Sequence, residues 1–232
     1  MLETAALSTV PRTLTAPQRL LSFVEFAIGA AIVVAHNVLH TVPNEVPILF
    51  VLGIFSIRLR EGTWRAIGLV RPKSWTLTIA MGVVTAIAVI ASSIVVVDPL
   101  IPVLGLHNAK SAASSVGLKH DDILSLVKSL GIVWTFAAFG EEIGYRRYLL
   151  SRAAEFLGGS TPAYWIGLGF VSALFGLGHF YEGTAGMFET ACHGFVIGAA
   201  YLLARRNLWV AVLAHGFTDT FVFVATFLGV AD

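Results

Sequence analysis

Two adjacent glutamates and two adjacent arginines interrupt an apolar stretch of the sequence. Residues 139–147 read Phe-Gly-Glu-Glu-Ile-Gly-Tyr-Arg-Arg, inside an apolar segment that runs from about 123 to 157. Ionisable residues in a membrane span face a bundle interior or a wet cavity, and they mark a functional site by default. On a helix, Glu142 and Arg146 stand four residues apart on one face and can pair, whereas Glu141 is turned about 100° away. We therefore predict that Glu142 is neutralised structurally and that Glu141 points elsewhere and stays reactive.

Two histidines and an aspartate occupy later apolar segments. His179 closes the segment that contains Phe175, and His215 and Asp219 stand four residues apart in the last segment. A carboxylate and a histidine can hold and deprotonate a water molecule, and a second histidine with a hydrogen-bonding neighbour can stabilise an oxyanion. This set of side chains is typical of a hydrolase without a covalent nucleophile.

A metal-dependent version of the same chemistry stays open. Glu141, His179 and His215 could bind a divalent metal ion such as zinc that activates the water. The sequence contains no His-Glu-x-x-His motif, and we favour the interpretation in which no cofactor is required. The sequence also lacks a Gly-rich phosphate loop and a Gly-x-Ser-x-Gly motif.

Other polar residues have plainer interpretations. A single histidine in a membrane span often serves as a hydrogen bonder between helices, and the Glu142–Arg146 pair is interpreted as structural. Arg147 and Arg152 are interpreted as membrane-surface charges. Three histidines are assigned to packing or to the interface: His36, His40 and His193.

Composition points to an integral membrane protein. The 232 residues are 56% hydrophobic and only 12% charged, about half the charged fraction of a soluble domain. A net charge of +1 gives no sign of a nucleic-acid partner. The single cysteine, Cys192, excludes an internal disulfide and a multi-cysteine metal site. Met1 to Gln18 forms a polar N-terminal segment, and the apolar run after it is too long for a cleavable signal, so we predict a retained first span.

The apolar segments predict an all-α fold, a polytopic transmembrane bundle of about seven spans around an intramembrane polar cavity. A helical span needs ~20 apolar residues, and no segment alternates like a strand. Residues 1–232 are predicted to form one membrane domain with the catalytic helices in 120–230. A basic and aromatic segment, 64–75, is predicted to lie at the interface, and 107–122 to form a loop. The predicted spans are Leu20–His40, Val46–Ile57, Trp75–Val97, Ile123–Leu150, Ala163–Phe180, Ala185–Ala204 and Leu208–Val230.

Loop charges predict the orientation, because lysine and arginine accumulate in cytoplasmic loops. With seven spans, the second side carries only Lys110 and Lys119, so we predict a cytoplasmic N-terminus in the plasma membrane. This orientation separates His179 from His215 in depth, and we expect residues 181–186 to dip into the bundle. The first side carries Arg12, Arg19, Arg58, Arg60, Arg65, Arg71, Lys73, Arg146, Arg147, Arg152, Arg205 and Arg206.

Three motifs in this order resemble the CPBP family, the type 2 CAAX prenyl proteases and the related bacteriocin-processing and immunity proteins. They are Glu-Glu-x-x-x-Arg at 141–146, Phe-x-x-x-His at 175–179 and His-x-x-x-Asn/Asp at 215–219. The segments 194–201 and 207–209 also resemble the family, and the likeness covers about residues 135–225.

The resemblance implies an intramembrane endopeptidase acting near the C-terminus of a membrane-associated peptide or protein, prenylated or not. Glu141 and His179 would activate water, and His215 and Asp219 would supply the oxyanion site. Glu142 and Arg146 would be supporting residues, and Phe175 would shape the pocket. Many relatives have Asn in place of Asp219, and an ionised Asp cannot donate to an oxyanion, so its role stays open. The family is described both as metal-dependent and as glutamate-dependent.

Two other functions stay open. A non-catalytic immunity protein or scaffold could bind a peptide in the same cavity, and it would tolerate loss of Glu141. A small transporter could use Glu141 as a proton carrier, but the sequence shows no inverted repeat and no pair of broken helices. Membrane lipid is an expected partner in every case.

Overall fold

The computed structural model describes residues 14–107, 118–120 and 122–230, and within these residues it contains helices and no strand. Short 3-10 turns at Trp64–Ile67 and Phe180–Glu182 join helices. The helices are α1 Ala16–Asn37, α2 Glu45–Glu61, α3 Trp75–Val103, α4 Ile123–Phe156, α5 Thr161–Leu177, α6 Gly183–Leu203 and α7 Leu208–Phe227. The all-α prediction is confirmed.

Five of these helices are long and apolar enough to cross a membrane: α1, α3, α4, α7 and the segment Phe180–Leu203, which contains α6. The other two, α2 and α5, have 17 residues each. At ~1.5 Å per residue, each of the two reaches about 25 Å, less than the ~30 Å hydrocarbon core. Each predicted span corresponds to one helix, and the count of about seven is approximate because the two short helices are below full spanning length.

Polar side chains fix where the helices begin. The hydroxyl of Thr15 accepts a hydrogen bond from the Gln18 N–H, and the Thr15 N–H donates to Oε1 of the Gln18 side chain. Side-chain oxygens cap the first turns of the helices that follow, which satisfies N–H groups that lack an intrahelical partner. These capping residues are Asn44, Ser74, Asp122, Ser160 and Asn207.

The core of the bundle surrounds α4. Residues 142–154 of this helix are all buried, and they pack against α1, α2, α5 and α7. Close approach at one crossing depends on Gly216 of α7, where a Cβ atom would lie 2.5 Å from the Trp134 ring. The pair of glutamates therefore lies on the most central helix of the protein.

The glutamates lie in a wide-turned part of α4. Residues Val133–Leu149 are π-helical, and the N–H of Leu150 bonds to the carbonyl of Tyr145, five residues back. Val133, Glu141 and Tyr145 of this wide-turned segment all line one cavity. Departures of this kind from α-helical geometry are frequent at functional sites.

An ionic layer joins α1, α2 and α4, and it corrects the assignment of Arg147 and Arg152 to the membrane surface. Both side chains are buried, with exposed fractions of 5% and 0% for the residues. Arg147 donates to Glu61 at 2.6 Å and also to the carbonyl of Ala66. Arg152 pairs with Glu25 and Glu155.

Arg60 completes the ionic layer from α2. It pairs with Glu25 at 3.3 Å and with Glu155 at 2.9 Å. Two residues used to predict the orientation lie outside the described residues. They are Arg12 of the predicted cytoplasmic side and Lys110 of the opposite side.

Candidate active site

A cavity of about 1000 Å³ opens between α2, α3, α4, α6 and α7. Apolar side chains such as Val46, Phe136 and Val222 form part of its wall. Its titratable lining consists of histidines, carboxylates and tyrosines, namely His36, Glu45, Glu141, Tyr145, His179, Tyr181, Glu182, Glu189, His193, His215 and Asp219. The four candidate catalytic residues of the sequence analysis therefore face one shared cavity.

Glu142 is held by two neighbours. Its Oε1 lies 3.0 Å from Nη1 of Arg146 and 2.7 Å from Nδ1 of His215. Arg146 also donates from Nη2 to the carbonyl of Gly194 at 3.2 Å, and its guanidinium stacks 4.2 Å from the centre of the Phe175 ring. Because both Glu142 and Arg146 are fully buried, this ion pair fixes the position of α4 against α6 and α7.

Glu141 has different surroundings. It is only partly buried and lines the cavity. Its Oε2 atom has no hydrogen-bond partner among the described residues. A carboxylate oxygen that is withdrawn from solvent and lacks a protein partner is available to a water molecule or a substrate. The two adjacent glutamates thus face two environments, as their helical spacing predicts.

His179 is oriented by the end of its own helix. Its Nδ1 lies 3.0 Å from the carbonyl of Phe175, so Nδ1 carries a proton and Nε2 is left to accept one. The Phe175 ring lies 5.1 Å from the His179 ring and 6.0 Å from the His215 ring, centre to centre. Phe175 therefore packs against both histidines.

His215 lies between two carboxylates. Its Nδ1 contacts Glu142, and its Nε2 lies 3.5 Å from Oδ2 of Asp219, one turn further along α7. That distance is at the outer limit of a direct hydrogen bond. Asp219 consequently contacts His215 more loosely than Glu142 does, and it also lines the cavity.

The link between α5 and α6 brings His179 to the cavity that His215 also lines. Helix α5 stops at Leu177, and the Phe180–Glu182 turn leads directly into α6. Gly178 and Glu182 are buried, whereas Phe180 and Tyr181 are exposed. The relative depth of the two histidines and the inward dip of residues 181–186 stay predictions.

Several cavity residues were missed from the sequence. Glu45 lies at the first turn of α2, is 5% exposed, and contacts His36 at 3.2 Å and Asn37 at 3.1 Å. We assigned His36 to packing or to the interface and missed its contact with Glu45. The two residues lie on different helices, so no helical spacing reveals the contact. Glu45 could have been found as an acid at the edge of an apolar segment.

His193, which we assigned to packing or to the interface, has an acidic neighbour at helical spacing. Glu189 stands four residues before it, a spacing that was visible in the sequence, and the two side chains lie 3.6 Å apart in the cavity wall. Ser93 of α3 contacts both, with its Oγ 2.6 Å from Nε2 of His193 and 2.9 Å from Glu189.

The residues offered as metal ligands do not assemble as a metal site. Among the residues that the structure describes, no three His, Cys, Asp or Glu side chains are grouped so that they could hold a metal ion. The set Glu141, His179 and His215 is therefore not a ligand cluster in this arrangement, and we derive no catalytic step through a metal.

Comparison with known proteins agrees with this geometry. Residues 123–221 match the model of a family described as Rce1-like, type II CAAX prenyl endopeptidase. No curated protein and no solved structure matches the chain. The matched region contains both glutamates, both cavity histidines and Asp219. It also spans α4 to α7, the helices that carry these residues. Residues 123–221 of this integral membrane protein therefore resemble the Rce1-like type II CAAX prenyl endopeptidases, a protease family consistent with the CPBP motifs of the sequence.

Proposed function

We propose that the protein is an intramembrane endopeptidase that hydrolyses a peptide bond near the C-terminus of a membrane-associated substrate, prenylated or not. One observation carries the proposal. Glu141 lines the cavity, and its Oε2 has no partner among the described residues. The adjacent Glu142 is absent from the lining, and its Oε1 is held by Arg146 and His215 while its Oε2 is also unpartnered. Burying a carboxylate oxygen without a partner costs stability, and a purely structural role for Glu141 would not explain this cost.

Glu141 and His179 are proposed to activate the water. A water molecule held by the carboxylate loses a proton to Glu141 or to Nε2 of His179 as its oxygen attacks the scissile carbonyl carbon. The tetrahedral intermediate then collapses. The carbon–nitrogen bond breaks, and the stored proton passes to the leaving amine. No covalent enzyme intermediate is needed, because water is the nucleophile.

His215 is proposed to stabilise the oxyanion. Its Nδ1 is anchored by Glu142, so that a proton on Nε2 can be donated to the negatively charged oxygen of the intermediate. Asp219, 3.5 Å from that same Nε2, is proposed to orient His215 rather than to touch the substrate, because an ionised carboxylate has no proton to donate.

The proposed setting is the plasma membrane with a cytoplasmic N-terminus, a membrane-bound peptide as substrate and lipid as surroundings. The uneven division of loop arginines supports this orientation. The apolar cavity wall, with Val46, Phe136 and Val222, is suited to a substrate that carries a hydrocarbon chain or an apolar segment.

The test is turnover by the purified protein in lipid nanodiscs, with and without a metal chelator. The substrates are a fluorogenic prenylated peptide and a panel of unmodified membrane peptides. We expect cleavage that resists the chelator and that is abolished in Glu141→Ala, while the variant still folds in detergent. The matched control is Asp122→Asn, which keeps the cap of α4 and removes one carboxylate from outside the cavity. Retained turnover in Glu141→Ala would exclude the mechanism. An unchanged cellular phenotype in that variant would favour a non-catalytic binding protein.

A further inference from the structure

The α6 wall of the cavity carries acids that the proposed mechanism does not use. Glu182, Glu189 and His193 follow one another along a single face of the segment 182–193, and all line the cavity. Glu182 lies in the turn before α6, and Glu189 lies about two turns further along. This face of α6 is therefore a strip of acidic and polar side chains that leads towards Gly194 and the Arg146–Phe175 stack.

Glu182 is a buried acid with one unpartnered oxygen. Only 7% of the residue is exposed, and its Oε1 has no hydrogen-bond partner among the residues the structure describes. Its other oxygen, Oε2, accepts from the Thr190 hydroxyl at 3.5 Å. A carboxylate this deeply placed normally pairs with a cation or with several donors. Glu182 thus offers a free acceptor to whatever enters the cavity.

Glu189, about two turns beyond Glu182, is held in position by its own neighbours. Its Oε1 lies 2.9 Å from the Ser93 hydroxyl and 3.6 Å from His193. The side chain is 37% exposed, so it still presents negative charge to the cavity. Ser93 comes from the π-helical turn of α3, so two helices fix this carboxylate.

The cavity supplies no fixed positive charge to balance these acids. None of the described residues that line it is a lysine or an arginine. Arg146 lies behind Glu142, fully buried and already engaged. A guest with negative charge next to α6 would therefore lie close to two carboxylates and find no lysine or arginine in the described lining, whereas a cationic guest would form charge-assisted hydrogen bonds in a confined site.

From these contacts we infer that Glu182 and Glu189 form a subsite that receives a lysine or arginine side chain of the substrate peptide. This inference rests on the proposed protease function and adds its substrate class, a membrane peptide with a basic residue close to the cleaved bond. The acid pair would determine specificity without taking part in the chemical step.

Binding tests the subsite separately from cleavage. The probes are amidated peptides with one apolar span followed by a short extended segment, with a single Lys placed at each position of that segment in turn. Isosteric sets carry Gln or Glu in its place. Dissociation constants are measured with the Glu141→Gln protein in phosphatidylcholine nanodiscs, so that neither turnover nor lipid charge contributes.

We expect the Lys peptide to bind about tenfold more tightly than the Gln peptide at one or two adjacent positions, as a charge-assisted hydrogen bond implies. The Glu peptide should bind most weakly. Adding Glu182→Gln and Glu189→Gln together should remove the difference, whereas adding Asp122→Asn should preserve it. Equal affinities for Lys and Gln peptides at every position, or a preference that survives the double change, would overturn the subsite.

Cleavage with Glu141 intact then separates the two proposals. Hydrolysis of all peptides without charge preference in binding or rate would retain the protease and reject the subsite. Charge-selective binding without hydrolysis of any peptide would retain the subsite and reject the protease. Zinc or magnesium bound by the unaltered acid pair, with no discrimination among peptides, would make the pair a cation site and would also overturn the inference.

Discussion

Carboxylates in the ionic layer and carboxylates in the cavity have opposite surroundings. In the layer that joins α1, α2 and α4, Glu25, Glu61 and Glu155 each contact at least one arginine. In the cavity, Glu141 and Glu182 each keep an oxygen without a partner among the described residues. The same residue type is therefore a paired structural element in one region and an incompletely paired acid facing the cavity in the other.

The difference lies in which residues surround each carboxylate. Three buried or half-buried guanidiniums serve the ionic layer, and none is found among the described residues of the cavity wall. Removing one partner from the ionic layer would destabilise the fold, because it leaves another charge buried and uncompensated. Leaving acids unpaired costs stability in the cavity, and this cost is characteristic of functional sites. The comparison predicts that changes in the cavity alter activity and that changes in the layer alter folding.

The largest effect is expected from Glu141→Gln. Loss of a general base typically lowers the rate by about 10²- to 10⁴-fold, and Glu141 Oε2 holds no protein partner whose loss would weaken the fold. We expect peptide hydrolysis to fall by that factor while the thermal midpoint in detergent stays unchanged. A fall in the midpoint comparable to that of an ionic-layer variant would show that the two regions are not distinct.

Arg152→Met should show the reverse pattern. The guanidinium contacts Glu25 and Glu155, and breaking such a buried pair costs about 3–5 kcal/mol. We expect a lower thermal midpoint in detergent, with hydrolysis by the remaining folded protein close to that of the unaltered enzyme. Arg71→Met is the matched control, since Arg71 is exposed, and it should leave the midpoint in place.

Gly194→Ala, at the edge of the cavity, should lower both stability and turnover. A Cβ atom there would lie 2.8 Å from the Phe175 ring and 3.3 Å from Nη2 of Arg146. Overpacking of this kind costs about 1–3 kcal/mol, and displacement of Phe175 would shift both histidines, so that stability and turnover should fall together.

Gly169→Ala is its control, because nothing lies within 4 Å of the added carbon. Within α5 it should stabilise the protein by about 0.5–1 kcal/mol. A Gly194→Ala enzyme with full activity would show that the position of Phe175 does not matter to the site.

Asp219→Asn should have the smallest effect. The amide can still hydrogen-bond Nε2 of His215, 3.5 Å from the present carboxylate, and it removes one negative charge from the cavity. We expect the rate to change by less than about tenfold, a span of ~1.4 kcal/mol. Asp219→Ala should be slower than Asp219→Asn. If Asn and Ala variants lose activity equally and severely, the carboxylate itself takes part in the chemical step.

Much of this architecture follows from local patterns. Apolar segment lengths predict each helix, and four-residue spacings predict the contacts of Glu142 with Arg146 and of His215 with Asp219. The same rule would have found Glu189 beside His193. Local patterns do not report which buried charges meet across helices. The burial of Arg147 and Arg152 depends on acids far away in sequence, Glu61 and Glu25, and composition therefore suggested a surface position instead.

The π-helical geometry of residues Val133–Leu149 in α4 could also not be predicted from the sequence. Nothing in residue spacing alone distinguishes i→i+5 from i→i+4 bonding. Only the structure shows that Val133, Glu141 and Tyr145 line one cavity.

The short helices α2 and α5 have a consequence for the surrounding lipid. α2 begins at Glu45 and α5 ends just before Gly178, and these two residues adjoin, since a Cβ on Gly178 would lie 3.3 Å from Oε1 of Glu45. Each helix is about 5 Å shorter than a ~30 Å hydrocarbon core. We expect the bilayer to thin or water to enter beside this shared end, so that a peptide lying at the headgroups descends only part of the membrane depth to reach the site.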